Sequence, residues 1–100
     1  MMRTIWPWML AILMGTLTCG AQMRPDAEAI RLNNRGVALM GQQFTERAAD
    51  AFAQAFRKDP RLAQAATNEG IALLTLQKLD DAKSWLQKSI AIDPASPQAW

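Results

Sequence analysis

A chain of 100 residues has room for one small domain, and its formal charge of +2 comes from interspersed signs rather than from a basic run or stripe. The electrostatic footprint of nucleic-acid binding is therefore missing. The chain has no histidine and a single cysteine, Cys19, so the commonest general base and most metal-ligand sets are excluded. Alanine is abundant while Gly and Pro stand at punctuating positions, a composition that favours helices.

Residues 1–21 read as a secretory signal peptide. A short basic start, Met1-Met2-Arg3, precedes a thirteen-residue apolar stretch from Ile5 to Leu17, interrupted only by Pro7, Gly15 and Thr16. Small residues follow, Thr18-Cys19-Gly20-Ala21, and cleavage after Ala21 or after Gly20 fits an A-x-A-like site. Two other readings stay open. Thirteen apolar residues rise about 20 Å as a helix, which falls short of a hydrocarbon core of about 30 Å and disfavours an uncleaved anchor. Lipidation of Cys19 is the other. It has a cysteine just after the apolar stretch in its favour, but Thr16 and Thr18 stand where that class wants Leu and Gly or Ala. Localisation is accordingly expected to be exported, periplasmic or extracellular, with membrane association only if Cys19 is lipidated or the leader is retained. In the cleaved form there is no cysteine, hence no disulfide and no thiol chemistry.

Residues 22–28 form a polar linker containing Pro25, with Asp26 as a candidate N-cap and Glu28 in the first turn of the helix it opens. Apolar residues at Leu32, Val37, Leu39 and Met40 then mark a first helix, and Gly41-Gln42-Gln43 a turn. Thr45 is positioned to cap a second helix, whose apolar face is Ala48, Ala49, Phe52, Ala55 and Phe56 at i, i+3, i+4, i+7 spacing. Asp59-Pro60 ends it, because proline lacks the helical donor and restricts its predecessor. The same order follows again: Ala66, Ile71, Ala72, Leu73 and Leu76, then Asp80 as a cap, then Ala82, Trp85, Leu86, Ser89, Ile90 and Ile92, then Asp93-Pro94. Ser96-Pro97 offers an N-cap with proline in the first helical position, the start of a further helix.

Sliding the chain by 34 residues lays 29–62 on 63–96 with nine identities and no gap. Among them are Asn34/Asn68, Gly36/Gly70, Leu39/Leu73, Ala48/Ala82, Asp59/Asp93 and Pro60/Pro94. Alanine richness cannot produce glycine on glycine and Asp-Pro on Asp-Pro at one spacing. A glycine inside a helix costs about 0.5–1 kcal/mol relative to alanine. Finding it twice in register points to close helix approach at Gly36 and Gly70, with Phe52 and Leu86 filling the space beside them.

A 34-residue unit with Leu32, Gly36, Leu39, Ala48, Phe52, Ala55 and Pro60 resembles the tetratricopeptide repeat (TPR) pattern. The second unit matches with Ala66, Gly70, Leu73, Ala82, Leu86, Ser89 and Pro94. The resemblance implies an all-α fold of stacked antiparallel helix pairs, an α-solenoid. It assigns 29–62 to a first repeat, 63–96 to a second and 97–100, ending in Trp100, to the opening of a third. There are departures. Arg35 and Glu69 occupy a position where the pattern prefers an apolar residue, and their opposite charges suggest an ion pair between adjacent repeats. Phe44 sits one place before the usual aromatic, so the first turn is expected to be irregular.

By resemblance, the first helices line a concave groove. Its partner-binding positions are Ile30, Asn33, Asn34, Val37 and Met40 in the first unit and Gln64, Thr67, Asn68, Ile71 and Leu74 in the second. Such a surface mixes amides and hydroxyls with aliphatics and suits an extended peptide or a partner helix. The carboxylate clamp of some TPR domains is not expected, because Asn33 and Val37 stand where it wants Lys and Asn. Asn34 and Asn68 are common in the family whatever the ligand, so a structural role stands beside a binding one; for Ile71 and Leu74 the alternative is burial against the next repeat, and Trp85 reads as packing rather than a site.

The sequence contains no phosphate loop and no nucleophile motif, and Asp80-Asp81 sits at a helix start, where acids favour the dipole. No catalytic residue, cofactor or metal is therefore assigned. The leading expectation is a non-catalytic protein-interaction scaffold with a protein or peptide partner. The alternative is an accessory module of a longer exported protein whose remaining part carries an enzymatic or other binding activity. Two repeats are marginal on their own, and Trp100 would leave a large aromatic on an unformed helix, so a longer chain is expected.

Overall fold

A computed structural model describes residues 24–94 of the chain. The predicted leader, residues 1–21, and the predicted opening of a third repeat, residues 97–100, lie outside the described residues. Four helices follow one another: α1 (Ala27–Gly41), α2 (Thr45–Lys58), α3 (Ala63–Thr75) and α4 (Leu79–Ile92). Each packs on its successor, α1 on α2, α2 on α3 and α3 on α4, and α1 also touches α3. Connections this short between packed helices force neighbours to run antiparallel.

Asp26 caps α1 as the sequence suggests, its Oδ1 accepting from the backbone N–H of Glu28 at 2.9 Å and of Ala29 at 3.0 Å. Two further predicted caps, Thr45 and Asp80, do not form, and a third, Ser96, lies outside the described residues. Thr45 is the first residue of α2 rather than its cap, and Asp80 lies in the first turn of α4. The cap positions belong to Phe44 and Lys78, neither of which makes a side-chain capping bond.

The turns that precede those helices explain the difference. Gln43 and Gln77 adopt φ of 65° and 61°, and the N–H groups of Phe44 and Lys78 each reach back 2.9 Å to the carbonyls of Leu39 and Leu73. The 3.0 Å bonds Gln43 N–H to Met40 O and Gln77 N–H to Leu74 O complete a Schellman ending in both pairs. Gly41, predicted to be part of the turn, is instead the last residue of α1, and the left-handed residue is a glutamine. The first turn is thus not irregular. It has the same geometry as the second, and Phe44 is accommodated by standing half out of the fold beneath the Arg47 guanidinium, 5.4 Å from its ring centroid.

Packing within each pair is set by the glycines. A Cβ on Gly36 would collide with the Phe52 ring, and one on Gly70 would stand 2.7 Å from Leu86 Cγ and 3.3 Å from the Ala82 carbonyl. Only the absence of a side chain allows α1 to lie on α2, and α3 on α4, at this distance. The main core gathers Leu39, Ala48, Ala49, Ala51 and Phe52 from the first pair with Ala72 from the second, and Met40 and Leu76 close its edge. This core therefore crosses the boundary between the repeats. Further along, Phe56 of α2 meets Trp85 of α4 edge to face, with centroids 5.2 Å apart and planes at 81°. A pair of this geometry contributes about 0.5–1.5 kcal/mol beyond its buried area. Trp85 also carries the Lys88 ammonium 4.2 Å above its ring, in keeping with a packing role.

The link between the pairs is organised by Asp59, which is buried where α2 ends. Its Oδ1 accepts from the Arg61 N–H at 3.1 Å, an Asx turn, and its Oδ2 accepts from the Asp26 N–H at 3.1 Å. One carboxylate thus shapes the α2–α3 turn and fastens the chain entering α1. Those backbone donors hold its carboxyl below the usual 3.8. The nearby Arg61 side chain, 3.7 Å away and mostly in solvent, adds little.

Candidate functional site

The first helix of each pair has one face that the other helices leave uncovered. On α1 the exposed aliphatics are Ile30 and Val37, 38% and 50% accessible; on α3 they are Ile71 and Leu74, 43% and 45%. Asn34 and Gln64 are exposed beside them, and Asn68 and Met40 are half-buried. The four described helices leave Ile71 and Leu74 uncovered; the next repeat, against which they could pack, lies outside the described residues.

Two of the predicted groove residues are directed inward instead. Asn33 is buried, and its Oδ1 accepts from Asn68 Nδ2 at 2.9 Å, tying α1 to α3. Thr67 is buried against α4, its hydroxyl in hydrogen-bond contact with that of Ser89. Each hydroxyl oxygen also lies 3.2 Å from the Ala63 carbonyl, so that one hydroxyl donates to the other and the second donates to that carbonyl. Thr67 and Ser89 thereby satisfy one another inside the second pair, which leaves neither hydroxyl for a ligand.

The strip itself holds no ionisable residue. On α1 Glu28 and Arg35 stand about 100° or more from Ile30, Asn34 and Val37 on the helix circumference, while Arg31, three residues before Asn34, borders the strip. On α3 the only ionisable residue is Glu69, which is buried. Charge is gathered on the second helices, with Glu46, Arg47, Asp50, Arg57 and Lys58 on α2 and Asp80, Asp81, Lys83 and Lys88 on α4. A cleft of about 170 Å³ between α1 and α2, where Arg35, Arg47, Asp50 and Gln54 meet Leu32, Leu39 and Ala51, is separate from the strip.

The predicted pair between Arg35 and Glu69 is not formed. Arg35 lines that cleft beside Asp50 and Arg47. Glu69 is buried with no hydrogen-bond partner for its Oε2, and the charges acting on it are those of Asp50 and Lys78. Burial, with Asp50 in support, raises its carboxyl from 4.5 to about 7. A spacing of one full repeat gives two residues equivalent places on successive first helices, and equivalent places point the same way rather than at each other.

Among the described residues no three His, Cys, Asp or Glu side chains cluster as a metal site, and no helix is long and apolar enough to cross a membrane. A search of curated proteins finds no match. A family model described as tetratricopeptide repeat matches residues 33–97. That span takes in most of α1, all of α2, α3 and α4, both close-packing glycines and both Asp-Pro stops. With well over half the chain matched and four helices packed as successive pairs, the protein belongs to the tetratricopeptide repeat family, whose members generally serve as protein–protein interaction modules.

Proposed function

We propose that the protein is an exported, non-catalytic scaffold that holds a peptide or a partner helix along the uncharged strip of α1 and α3. The observation that carries this reading is the alignment of Ile30, Val37, Ile71 and Leu74, all at least 38% accessible, beside Asn34, Gln64 and Asn68 with no ionised side chain among them. Aliphatic contacts would supply affinity, and the amides would pair with partner backbone. Export rests on the leader at residues 1–21 and is tested separately, by fractionating source cells and weighing the intact protein.

Peptides selected from a random displayed library against the full chain test the groove. Val37→Glu and Ile71→Glu, at exposed positions, are expected to abolish capture while leaving the helical circular dichroism unchanged. Capture that survives both substitutions would refute the groove reading.

A further inference from the structure

We propose that the junction between the two helix pairs is a proton-sensitive hinge, in which ionisation of the buried Glu69 side chain loosens the packing of α3 on α2. This inference is independent of what binds the groove. Glu69 is 5% accessible, and its Oε2 is without a hydrogen-bond partner. An ionised carboxylate needs several donors, and that oxygen has no protein donor and is closed to bulk solvent.

The surrounding charges act in the same direction on balance. Asp50 of α2 repels a negative charge at Glu69, and Lys78, in the turn after α3, attracts it more weakly. Arg35 of α1 lines the cleft beside Asp50, and Asp80, Asp81, Lys83 and Lys88 of α4 are all exposed. The equivalent position of the first pair carries Arg35, which is exposed to solvent. A charged residue at this place is therefore unremarkable on α1 and unsupported on α3.

The carboxyl titrates near 7 in the folded protein, against 4.5 ordinarily. Below about pH 4.5 both the folded and the unfolded chain hold the proton, and the contribution of Glu69 is fully present. Between there and about pH 7 only the folded chain holds it, so stability falls as pH rises and levels off above. The chain has no histidine, the side chain that ordinarily titrates in this window.

The test is urea unfolding of the full chain from about pH 5 to about pH 8, followed by circular dichroism. The unfolding equilibrium constant is expected to rise on the order of a hundred-fold across this range, a factor of ten per unit of pKa difference. Glu69→Gln keeps the shape and removes the proton, and should flatten the profile. Asp50→Asn, at an exposed position, should move the transition to lower pH. Amide hydrogen exchange locates the effect: above the window, exchange should quicken in α3 and the facing part of α2 before α1. The same pH slope in wild type and Glu69→Gln would overturn the proposal. So would a slope that vanishes in Glu69→Gln while exchange quickens equally in all four helices, since that would leave a stability effect with no hinge.

Discussion

The second helices of the two pairs, α2 and α4, have the same length of 14 residues and the same place in the repeat, yet their environments differ. α4 buries Ala82 and Ser89. α2 buries the equivalent Ala48 and Ala55 and adds Ala49, Ala51 and Phe52. The shared pair marks the seam that each helix presents to its own partner. Phe52 lies on Gly36 within its own pair, and the core that encloses it together with Ala49 and Ala51 reaches on to Ala72 of α3, the second neighbour of α2. One sequence period therefore encodes one fold twice without giving equal burial twice. Among the described residues, burial is greatest at the boundary between the pairs.

The sharpest way to break this comparison is to truncate the equivalent large residues. Phe52→Ala is expected to cost about 3–5 kcal/mol and Leu86→Ala about 1–2, because part of the Leu86 surface already meets water. Urea midpoints at a common pH measure both, and equal losses would mean that α4 is as well supported as α2. The glycines should repeat the inequality at smaller scale. Gly36→Ala forces the enclosed Phe52 ring to move and should cost about 1–3 kcal/mol, whereas Gly70→Ala meets the only half-buried Leu86, with the Ala82 carbonyl 3.3 Å away, and should cost somewhat less.

Asp59→Ala should cost about 1–2 kcal/mol by releasing both the turn and the entry to α1. Because the folded carboxyl lies below 3.8, its stabilisation is present above that value and is lost as pH falls through the folded value. Acid titration of the wild type and Asp59→Ala should therefore converge at low pH. The smallest effect is a gain: Gln43→Gly and Gln77→Gly, at positive φ, should each stabilise by about 0.5–1 kcal/mol, and thermal melts would resolve it. A loss at either site would show that the glutamine side chain does more than tolerate the turn.

Much of the architecture was legible because it depends on residues with one strong physical preference. Gly36 with Phe52, Gly70 with Leu86, the Asp-Pro stops and the Asp26 cap are all found where periodicity and sterics put them. The errors fall where geometry between segments decides. Thr45 and Asp80 look like caps, but the six-residue hydrogen-bonded closures over Gln43 and Gln77 determine how α2 and α4 begin. Opposite charges at Arg35 and Glu69 suggest a pair, but the period that reveals them also keeps them apart. Within the strip, Ile30, Val37, Ile71 and Leu74 stand exposed, while Asn33 and Thr67, on the same stretch of each wheel, turn into contacts with α3 and α4. Distinguishing them requires knowing which neighbours each first helix has, and a single-helix pattern does not carry that information.

The bond from Asn68 to Asn33 has a mechanical consequence. It joins the two helices that expose the aliphatic strip by a strut of fixed length, 2.9 Å between donor and acceptor, formed before anything lies on them. A surface braced in this way is preorganised. A segment laid across α1 and α3 would find their spacing already set and would spend little of its interaction energy on restraining them.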